Sequence, residues 1–314
     1  MKHDWDVVVV GGCNFDYLVR GPKLPTAGET AEGHEFQEAS GGKGANQAVG
    51  AARLGARVSF VGRIGSDSRG EACLRQLAAA GVDVEGVVRD HESPTGVALI
   101  MVDQSGRKAI MAAPGANRRL SLDDVHAQQR RLRSTKVALA QLETPVESVS
   151  LAFRLCREAG GKTVLDPAPA VPLSDNLLEL VDVIRPNATE AEVLTGIHVN
   201  GRESAAEAGQ WLMNHGVNAA IVQAGEDGDL AIWRGGEQWL PRLPVKSIDA
   251  TGAGDAFAAA FAVCMAKGQS IAEAAIFANA AAALATTKLG AQAGLPSHAD
   301  VEELLASQRI VLSN

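Results

Sequence analysis

Cysteines are few in this sequence, and it has no long apolar run. The four cysteines stand far apart without a C-x-x-C spacing, so the sequence predicts neither a zinc site nor a disulfide framework. The longest unbroken apolar run, 256–266, is well below the ~18 residues that a membrane-spanning helix needs. A short valine run behind an acidic flank, at 4–10, does not match a signal peptide. We therefore expect a reduced, cytoplasmic protein with no membrane partner.

Positive charge is also scarce. Lysine and arginine total 29 residues against 37 aspartates and glutamates, which gives a formal net charge of -8. Such a chain repels nucleic acid and anionic lipid, so no nucleic acid is expected as a partner. An anionic ligand would have to be held by backbone amides, a few local cations and a metal ion. The seven histidines show no metal-ligand spacing.

Two common nucleotide-binding motifs are missing. The apolar strand 7–10 leads through two glycines into Cys13-Asn14-Phe15-Asp16, so the G-x-G-x-x-G fingerprint of nicotinamide-binding folds is absent. In 41–44 the lysine precedes the last glycine, so the P-loop spacing G-x-x-x-x-G-K-[ST] is not met. These differences weaken the interpretation as a nicotinamide dehydrogenase and exclude a Walker A loop.

The sequence does contain a regular alternation of helices and strands. From residue 120 onward, strands are predicted at 136–140, 162–166, 182–185 and 219–223, and helices at 121–133, 146–158 and 202–213. A strand at 57–61, a helix at 68–80 and closing helices at 254–267, 270–286 and 298–307 complete the series. This alternation predicts a parallel sheet covered by helices on both faces.

Two stretches break this alternation. Residues 17–38 are rich in turns, and residues 94–113 contain two strands, 96–102 and 109–112, joined by a polar loop. Together they predict a small separate sheet. We interpret it as a discontinuous lid on a single domain of residues 1–314.

Short polar side chains follow several predicted strands. Asn14, Glu143, Asp166 and Asn187 each lie just past a strand end, where open α/β sheets bind ligands. Asn14 with Asp16 suits a pair of vicinal sugar hydroxyls, and it suits a turn equally well. Asn187 is followed three residues later by a glutamate, so a purely structural capping box stays open as an alternative.

The stretch Asp249-Ala250-Thr251-Gly252-Ala253-Gly254-Asp255 leads directly into the apolar run 256–266. Its small residues leave the first amides of the following helix bare, and these amides with the helix dipole favour an anion such as a phosphate. Asp255 beside that anion can accept the proton of an attacking hydroxyl, as the base of phosphoryl transfer does. The alternative is that Asp249 and Asp255 only cap a turn and a helix.

These motifs resemble the ribokinase, or PfkB-type, family of sugar kinases over nearly the whole chain, from about Asp6 to Leu305. Gly41-Gly42-Lys43-Gly44-Ala45-Asn46 and the stretch 249–255 carry the resemblance, and Asn187-Ala188-Thr189-Glu190 matches the family's N-x-x-E motif. The resemblance implies an α/β fold: a three-layer α/β/α sandwich with a mostly parallel central sheet and a small β-sheet lid. It also implies ATP-dependent phosphorylation of D-ribose at its primary 5-hydroxyl.

The resemblance assigns roles to positions of this sequence. Asp255 would be the base, and the amides of Gly252, Ala253 and Gly254 would form an anion hole. The sugar would be bound by Asn14, Asp16, Gly42, Lys43, Asn46 and Glu143. The nucleotide would contact Asn187, Glu190, Asn279 and the loop 223–228 with Gln223, Gly225 and Gly228. Asn187 and Glu190 would also serve Mg²⁺, through water.

The resemblance further implies a monovalent cation, usually K⁺, next to the anion hole. Its ligands would be Asp249 and the backbone oxygens of Thr251, Ala285, Lys288 and Gly290. Gly294 stands where family members often carry serine, so one side-chain ligand of the cation is missing, and Gln223 stands where threonine is common. Lid sheets of two subunits often pack together in the family, which implies a homodimer through the lid.

Other functions stay open from the sequence. The same chemistry could act on deoxyribose, fructose or a nucleoside, and Asp16 is expected to favour ribose over deoxyribose because a carboxylate paired to the 2- and 3-hydroxyls loses a partner when one is absent. A non-catalytic sugar or nucleotide sensor is the alternative from a different class. A sensor predicts loss of the base or the anion hole, whereas residues 252–255 retain both.

Overall fold

The computed structural model describes residues 3–225 and 227–312, and two β-sheets run through it. The large sheet contains β1 Trp5–Val10, β4 Val58–Gly65, β5 Asp83–Asp90, β8 Thr135–Ala140, β9 Lys162–Leu165, β10 Val183–Ile184, β11 Ala219–Gln223, β12 Gly228–Trp233 and β13 Gly236–Pro241. The small sheet contains β2 Asn14–Arg20, β3 Glu35–Gly41, β6 Gly96–Val102 and β7 Lys108–Ala113.

Helices connect most of the large sheet's strands. They are α1 Lys43–Arg53, α2 Ser68–Ala79, α3 Leu122–Ala127, α4 Gln129–Arg133, α5 Val146–Glu158, α6 Asp175–Leu178, α7 Ala188–Thr195, α8 Arg202–Asn214, α9 Ala253–Ala266, α10 Ile271–Ala285 and α11 His298–Leu312, with a 3₁₀ turn at Gly115–Arg119. None of the helices in the described part of the chain has both the length and the apolar character needed to cross a bilayer.

The strand order of the large sheet is β13-β12-β11-β10-β9-β8-β1-β4-β5. The strands from β11 to β5 are all parallel, and β12 and β13 add an antiparallel edge. The chain starts at β1, builds outward through β4 and β5, and then returns to build β8 to β13 on the other side. The order therefore reverses between β1 and β8, which makes this a topological switch point.

The valines of β1 show why the fold has three layers. Val7 and Val9 belong to an apolar core formed with α1, α9 and α10, whereas Val8 and Val10 belong to a second core formed with α5 and α8. Successive side chains of a strand point to opposite faces, so a strand that is apolar at every position needs helices on both sides. All four valines are fully buried.

The structure differs from the predicted elements in three places. The predicted helix 121–133 is two short helices, because the chain leaves helical geometry at Gln128 (φ -97°, ψ 11°). The sequence does not predict β5, an edge strand in which charged residues and a glycine interrupt the apolar pattern. The small sheet uses residues 14–20 and 35–41, so it extends beyond the predicted segment 17–38 at both ends.

Candidate active site

Four neighbouring parallel strands end at one edge of the large sheet. β1 leads into two glycines, β8 into the segment that holds Glu143, β9 into Asp166 and β10 into Arg185. Helix α1 begins against this edge, since the N–H of Ala45 donates to the carbonyl of Gly12 at 3.1 Å. Ligands of open α/β sheets bind at such an edge, beside the switch point.

Asp255 lies in the first turn of α9 and is only 6% exposed. Nδ2 of Asn46 donates to its Oδ2 at 2.9 Å, and Nε2 of Gln47 donates to its Oδ1 at 3.0 Å. The same nitrogen of Gln47 donates to Oδ2 of Asp166 at 2.7 Å. The two motifs that are about 200 residues apart in the sequence therefore meet at one carboxylate, with Asn46 and Asp255 separated by 209 positions.

Several carboxyl groups share this buried region with one ammonium group. Burial raises the pKa of Asp255, although the charge of Lys43 opposes the shift. Burial also raises the pKa of Glu143 to about 7, even though Oε2 of Glu143 accepts a hydrogen bond from the backbone nitrogen of Lys43 at 2.8 Å. For Lys43, burial lowers the pKa of the ammonium, but the surrounding carboxylates, Asp255 first among them, raise it by more. Lys43 is thus the main counter-ion of the region.

The predicted sugar residues of the small sheet lie beside Asp255. Burial raises the pKa of Asp16 to about 6, and the charge of Asp255 adds to the shift. Within residues 3–225 and 227–312, Oδ1 of Asp16 is buried without a hydrogen-bond partner. Oδ1 of Asn14 accepts from Nδ2 of Asn117 at 2.8 Å, and a Cβ on Gly42 would lie 2.7 Å from the backbone nitrogen of Asn14. Asp16 therefore offers an acceptor that a sugar hydroxyl can satisfy.

An open cavity of about 1130 Å³ runs from Asp255 past the amino-terminal end of α9. Gly252, Ala253 and Gly254 form part of its wall, and Gly252 has left-handed backbone geometry (φ 83°). The N–H of Ala253 donates to the carbonyl of Ala250 at 3.2 Å, so an anion would compete with this turn for that amide. The position matches the anion site that the sequence predicts.

Most of the predicted nucleotide-binding residues line the cavity, and one has a structural role in a strand. Asn187, Glu190, Gln223, Gly225 and Asn279 line the cavity. Gly228 instead begins β12, where a Cβ would collide with the backbone of Leu240, so this position is explained by strand packing. Glu226, within the predicted loop 223–228, lies outside the described residues.

The capping box predicted at Asn187 is present. The backbone nitrogen of Glu190 donates to Oδ1 of Asn187 at 2.9 Å, and the backbone nitrogen of Asn187 donates to Oε2 of Glu190 at 2.8 Å. Burial raises the pKa of Glu190, and the charge of Asp166 adds to the shift. Both side chains thus cap α7 and face the cavity at the same time, so the structural role does not exclude a functional one.

The predicted cation ligand Asp249 already has a positive partner. Nζ of Lys108 donates to its Oδ1 at 2.6 Å and also contacts the hydroxyl of Thr251. Oδ2 of Asp249 accepts from the backbone nitrogen of Gly290 at 3.0 Å. Burial acts to raise the pKa of Asp249, but the hydrogen bonds from Lys108 and Thr251 hold it well below its usual range.

Two of the other predicted cation ligands, Gly290 and Ala285, lie in or against the loop that contacts Asp249. The carbonyl oxygen of Gly290 accepts from the backbone nitrogen of Gly294 at 3.3 Å. Gly294 itself lies against the carbonyl of Ala285, where a Cβ would collide with that oxygen. A serine at 294, where the family pattern often has one, would therefore require this loop to move.

Gln47, which contacts Asp255, and the cavity residues Lys108 and Arg185 have no role in the sequence-based site. Asp166, which the sequence marks only by its position after a strand, also lines the cavity. Gln47 adjoins Asn46, so its place in the motif could have found it. Lys108 begins β7, directly after the polar loop of the predicted lid, and Arg185 follows the two-residue strand β10 and precedes Pro186. Nothing in their local sequence distinguishes these two cations from surface residues.

Comparison with known proteins now identifies the class. The model of the pfkB family of carbohydrate kinases matches residues 5–298. Ribokinase of Haemophilus influenzae is 40% identical over 299 residues, covering 95% of this chain and 98% of the relative. Deoxyribokinase of Salmonella typhi is 33% identical over 302 residues, covering 96% and 99%. The chain belongs to the pfkB carbohydrate kinase family and is a sugar kinase that transfers phosphate to a hydroxyl group.

Solved structures agree with this assignment. The structure of Arabidopsis thaliana ribokinase complexed with ribose and ATP has a TM-score of 0.87 at 34% identity and covers 97% of this chain and 99% of its own. Ribokinase from Thermotoga maritima also has a TM-score of 0.87, at 32% identity, with coverage of 96% and 99%. The predicted fold class, a ribokinase-like α/β/α sandwich with a small second sheet, is confirmed. A sensor and a dehydrogenase, the other classes considered, are not supported.

Proposed function

We propose that this kinase transfers the γ-phosphate of ATP to the 5-hydroxyl of D-ribose, giving ribose 5-phosphate and ADP. The position of Asp255 is the observation that carries the proposal. Its carboxylate contacts Asn46 and Gln47 on the sugar side and opens on the other side into the cavity lined by 252–254. The several ribokinases among the relatives, one with ribose and ATP bound, support ribose as the acceptor.

The chemistry follows from these positions. Asp255 takes the proton of the 5-hydroxyl while that oxygen attacks the γ-phosphorus, and the bond to the bridging oxygen of ADP breaks. The amides at 252–254 and the dipole of α9 stabilise the negative charge on the transferring phosphoryl group. Lys43 balances the carboxylates around the reacting hydroxyl. The protein supplies positioning and charge compensation, which are what phosphoryl transfer chiefly needs.

Mg²⁺ is the proposed metal ion, brought with ATP. Glu190 and Asp166 both line the cavity, and burial together with the charge of Asp166 raises the pKa of Glu190, so two hard oxygen donors share this cavity. Among residues 3–225 and 227–312, no cluster of three metal-ligating side chains occurs. Such a sparse donor set fits Mg²⁺, which keeps several waters and binds mainly to substrate phosphates. When bound, the ion would neutralise phosphate charge.

Acceptor choice tests the proposal directly. In a coupled ADP-release assay with MgATP, we expect kcat/KM for ribose to exceed that for deoxyribose by about 10- to 150-fold, because losing a hydrogen bond to a buried charged group costs about 1.5–3 kcal/mol. Fructose and a nucleoside complete the panel. The variant Asp16→Asn should narrow the ratio between ribose and deoxyribose. Equal turnover of both pentoses by the wild type would contradict ribose as the preferred acceptor and the role of Asp16 in that preference, and it would leave the phosphoryl-transfer site in place.

A monovalent cation, K⁺, fits Asp249 and the carbonyls of Thr251, Ala285, Lys288 and Gly290 only if Lys108 withdraws, since one carboxylate oxygen already holds that ammonium. We expect the Lys108→Met variant to respond to K⁺ more strongly than the wild type does. The measurement is kcat against KCl, with tetramethylammonium chloride holding ionic strength constant. Lys136→Met, which removes a distant pair with Asp6 at 2.8 Å, is the control. Identical K⁺ responses in all three proteins would contradict this account.

The small sheet is proposed as a lid over a single catalytic domain. Ile110 and Lys108 of β7 line the cavity, and Lys108 reaches the loop before α9. A sheet that contributes to the cavity wall and bears Asp16 can exclude water when sugar is bound.

The other face of the small sheet supports a homodimer. Val19, Phe36, Leu99 and Met111 are cross-strand neighbours on that face, with Phe36 61% and Met111 74% exposed. A second copy would bury this apolar patch. Light scattering should give twice the chain mass of 32.6 kDa, and Met111→Glu should shift the mass toward the monomer. Leu122→Glu, at an exposed site outside the sheet, serves as the control. A wild-type protein with the mass of a single chain would contradict the proposed homodimer.

The cytoplasm is the proposed location. All four cysteines are free and buried, as expected for a chain that folds in a reducing compartment.

A further inference from the structure

Arg185 places a guanidinium group at the anion hole. It follows β10 directly, is 9% exposed, and lines the same cavity as Lys43 and the residues 252–255. Its Nη1 lies 3.0 Å from the point where a Cβ on Gly254 would stand. The second glycine of the anion-hole motif therefore leaves room for this guanidinium.

The protein itself satisfies Arg185 only in part. The guanidinium carbon lies 5.0 Å from the ring centroid of Phe257, and Nη2 is 3.6 Å from Oδ2 of Asp229. Asp229 is shared, because Nη2 of Arg242 lies 3.0 Å from its other oxygen. In the described part of the chain, Nε of Arg185 is buried and donates to no acceptor. Asp229 is thus one carboxylate shared between two guanidinium groups, so it neutralises Arg185 only in part.

Such an arrangement is costly unless a ligand completes it. A buried donor without an acceptor lowers the stability of the folded protein, and more so when the group is charged. The planar fork of arginine matches phosphate oxygens in a way that a lysine does not. A buried arginine that lines a cavity of this size is therefore placed to receive an anion.

We propose that Arg185 binds the β- and γ-phosphate oxygens of ATP and so acts as a cationic ligand of the phosphate chain beside the amides of α9. This inference rests on the proposed function for the presence of ATP, and it does not depend on which sugar is the acceptor. A purely structural role, as the counter-ion of Asp229, is the competing explanation.

Titration calorimetry with ATP and with AMP, each with Mg²⁺ and without sugar, separates the two. For Arg185→Gln we expect the ATP dissociation constant to rise about 10- to 100-fold while AMP binding changes less than about twofold, because AMP lacks the contacted phosphates. Arg185→Lys, which keeps the charge and loses the fork, should lie between. Arg131→Gln is the control: Arg131 also pairs with carboxylates and lies 5.7 Å from an aromatic ring, but far from the cavity.

The double variant Arg185→Gln/Asp229→Asn decides the matter. If Arg185 only neutralises Asp229, removing both charges restores ATP binding to within about twofold of the wild type, and the proposal is overturned. Equal losses for ATP and AMP in Arg185→Gln would overturn it too. If Arg185 binds phosphate, the double variant stays as weak for ATP as the single one. If the wild type binds no ATP, both the proposed function and this inference are overturned. If the wild type binds ATP normally but phosphorylates another alcohol, only the assignment of ribose as the acceptor is overturned.

Discussion

The Asp255→Ala variant is expected to lose about 10²- to 10⁴-fold in kcat, the range for removal of a general base. ATP and ribose affinities should change much less, because other side chains and backbone amides hold both ligands. Steady-state kinetics give kcat, and calorimetry gives the two affinities. Turnover within tenfold of the wild type would show that another group takes the proton.

The contacts of Asp255 show why a second variant is needed. Both of its oxygens accept hydrogen bonds from amide nitrogens, those of Asn46 and Gln47. Asn at 255 would bring its own NH₂ group against one of these donors, so Asp255→Asn tests the base and disturbs the pair at once. If the carboxylate of Asp255 matters only as an acceptor for Asn46 and Gln47, the Asp255→Asn variant should lose no more activity than Asp255→Ala. Both variants should then also bind ribose more weakly. If it is the base, both variants lose kcat and retain ATP binding.

A matched buried carboxylate controls for stability. Asp182 has the same 6% exposure as Asp255 and accepts hydrogen bonds from Thr163 and Asn218. It precedes β10 and so lies at the opposite edge of the sheet from the site. Asp182→Ala should lower the free energy of unfolding and leave kcat nearly unchanged, which separates a loss of chemistry from a loss of folded protein.

The pH dependence of kcat provides a further check on the base. Burial raises the pKa of Asp255, and a general base must be ionised to accept a proton. Activity should therefore rise with pH through a limb that lies above the ordinary range for aspartate. The residual activity of Asp255→Ala should lack that limb.

The chain's central chemistry was predictable because it is local in sequence. The stretch 249–255 predicts its own local structure, because glycines before a helix expose the first amides and an aspartate in the first turn lies beside them. The valine run at 7–10 likewise requires a strand covered on both faces, and the structure has it. Where short-range patterns carry the information, prediction and structure agree.

What the sequence misses depends on distant parts of the chain. Arg185 is recognisable as a site residue only because Gly254, 69 positions later, leaves space for its side chain. Lys108 is recognisable only because its side chain reaches Asp249. Gly228 shows the reverse case: the sequence predicts a nucleotide contact there, and the structure adds a packing reason for the glycine, because a Cβ would collide with the carbonyl oxygen of Leu240 in β13. Edge strands such as β3 and β5 carry mixed polarity because one side faces solvent, so periodicity does not reveal them.

Gly252→Ala is expected to lose at least about 10²-fold in kcat, the cost of removing or displacing an anion-hole donor. Gly252 has φ 83°, and a Cβ there would lie 2.8 Å from both the Cα and the carbonyl oxygen of Ala291. These are backbone atoms, so the loop before α9 has to move. The carbonyl of Gly252 accepts the first hydrogen bond of the helix, from Ala256 at 2.8 Å, and the amides that face the phosphate move with it.

The other end of the same helix supplies the control. Gly268 has φ 79°, follows α9, and has no atom of the described chain within 4 Å of an added Cβ. Gly268→Ala therefore carries the left-handed strain of about 1–2 kcal/mol without the collision and far from the site. Chemical denaturation should show a loss of stability in both variants, while kcat falls only in Gly252→Ala. A parallel fall of kcat in both would mean that helix stability, and not the placement of the amides, limits the reaction.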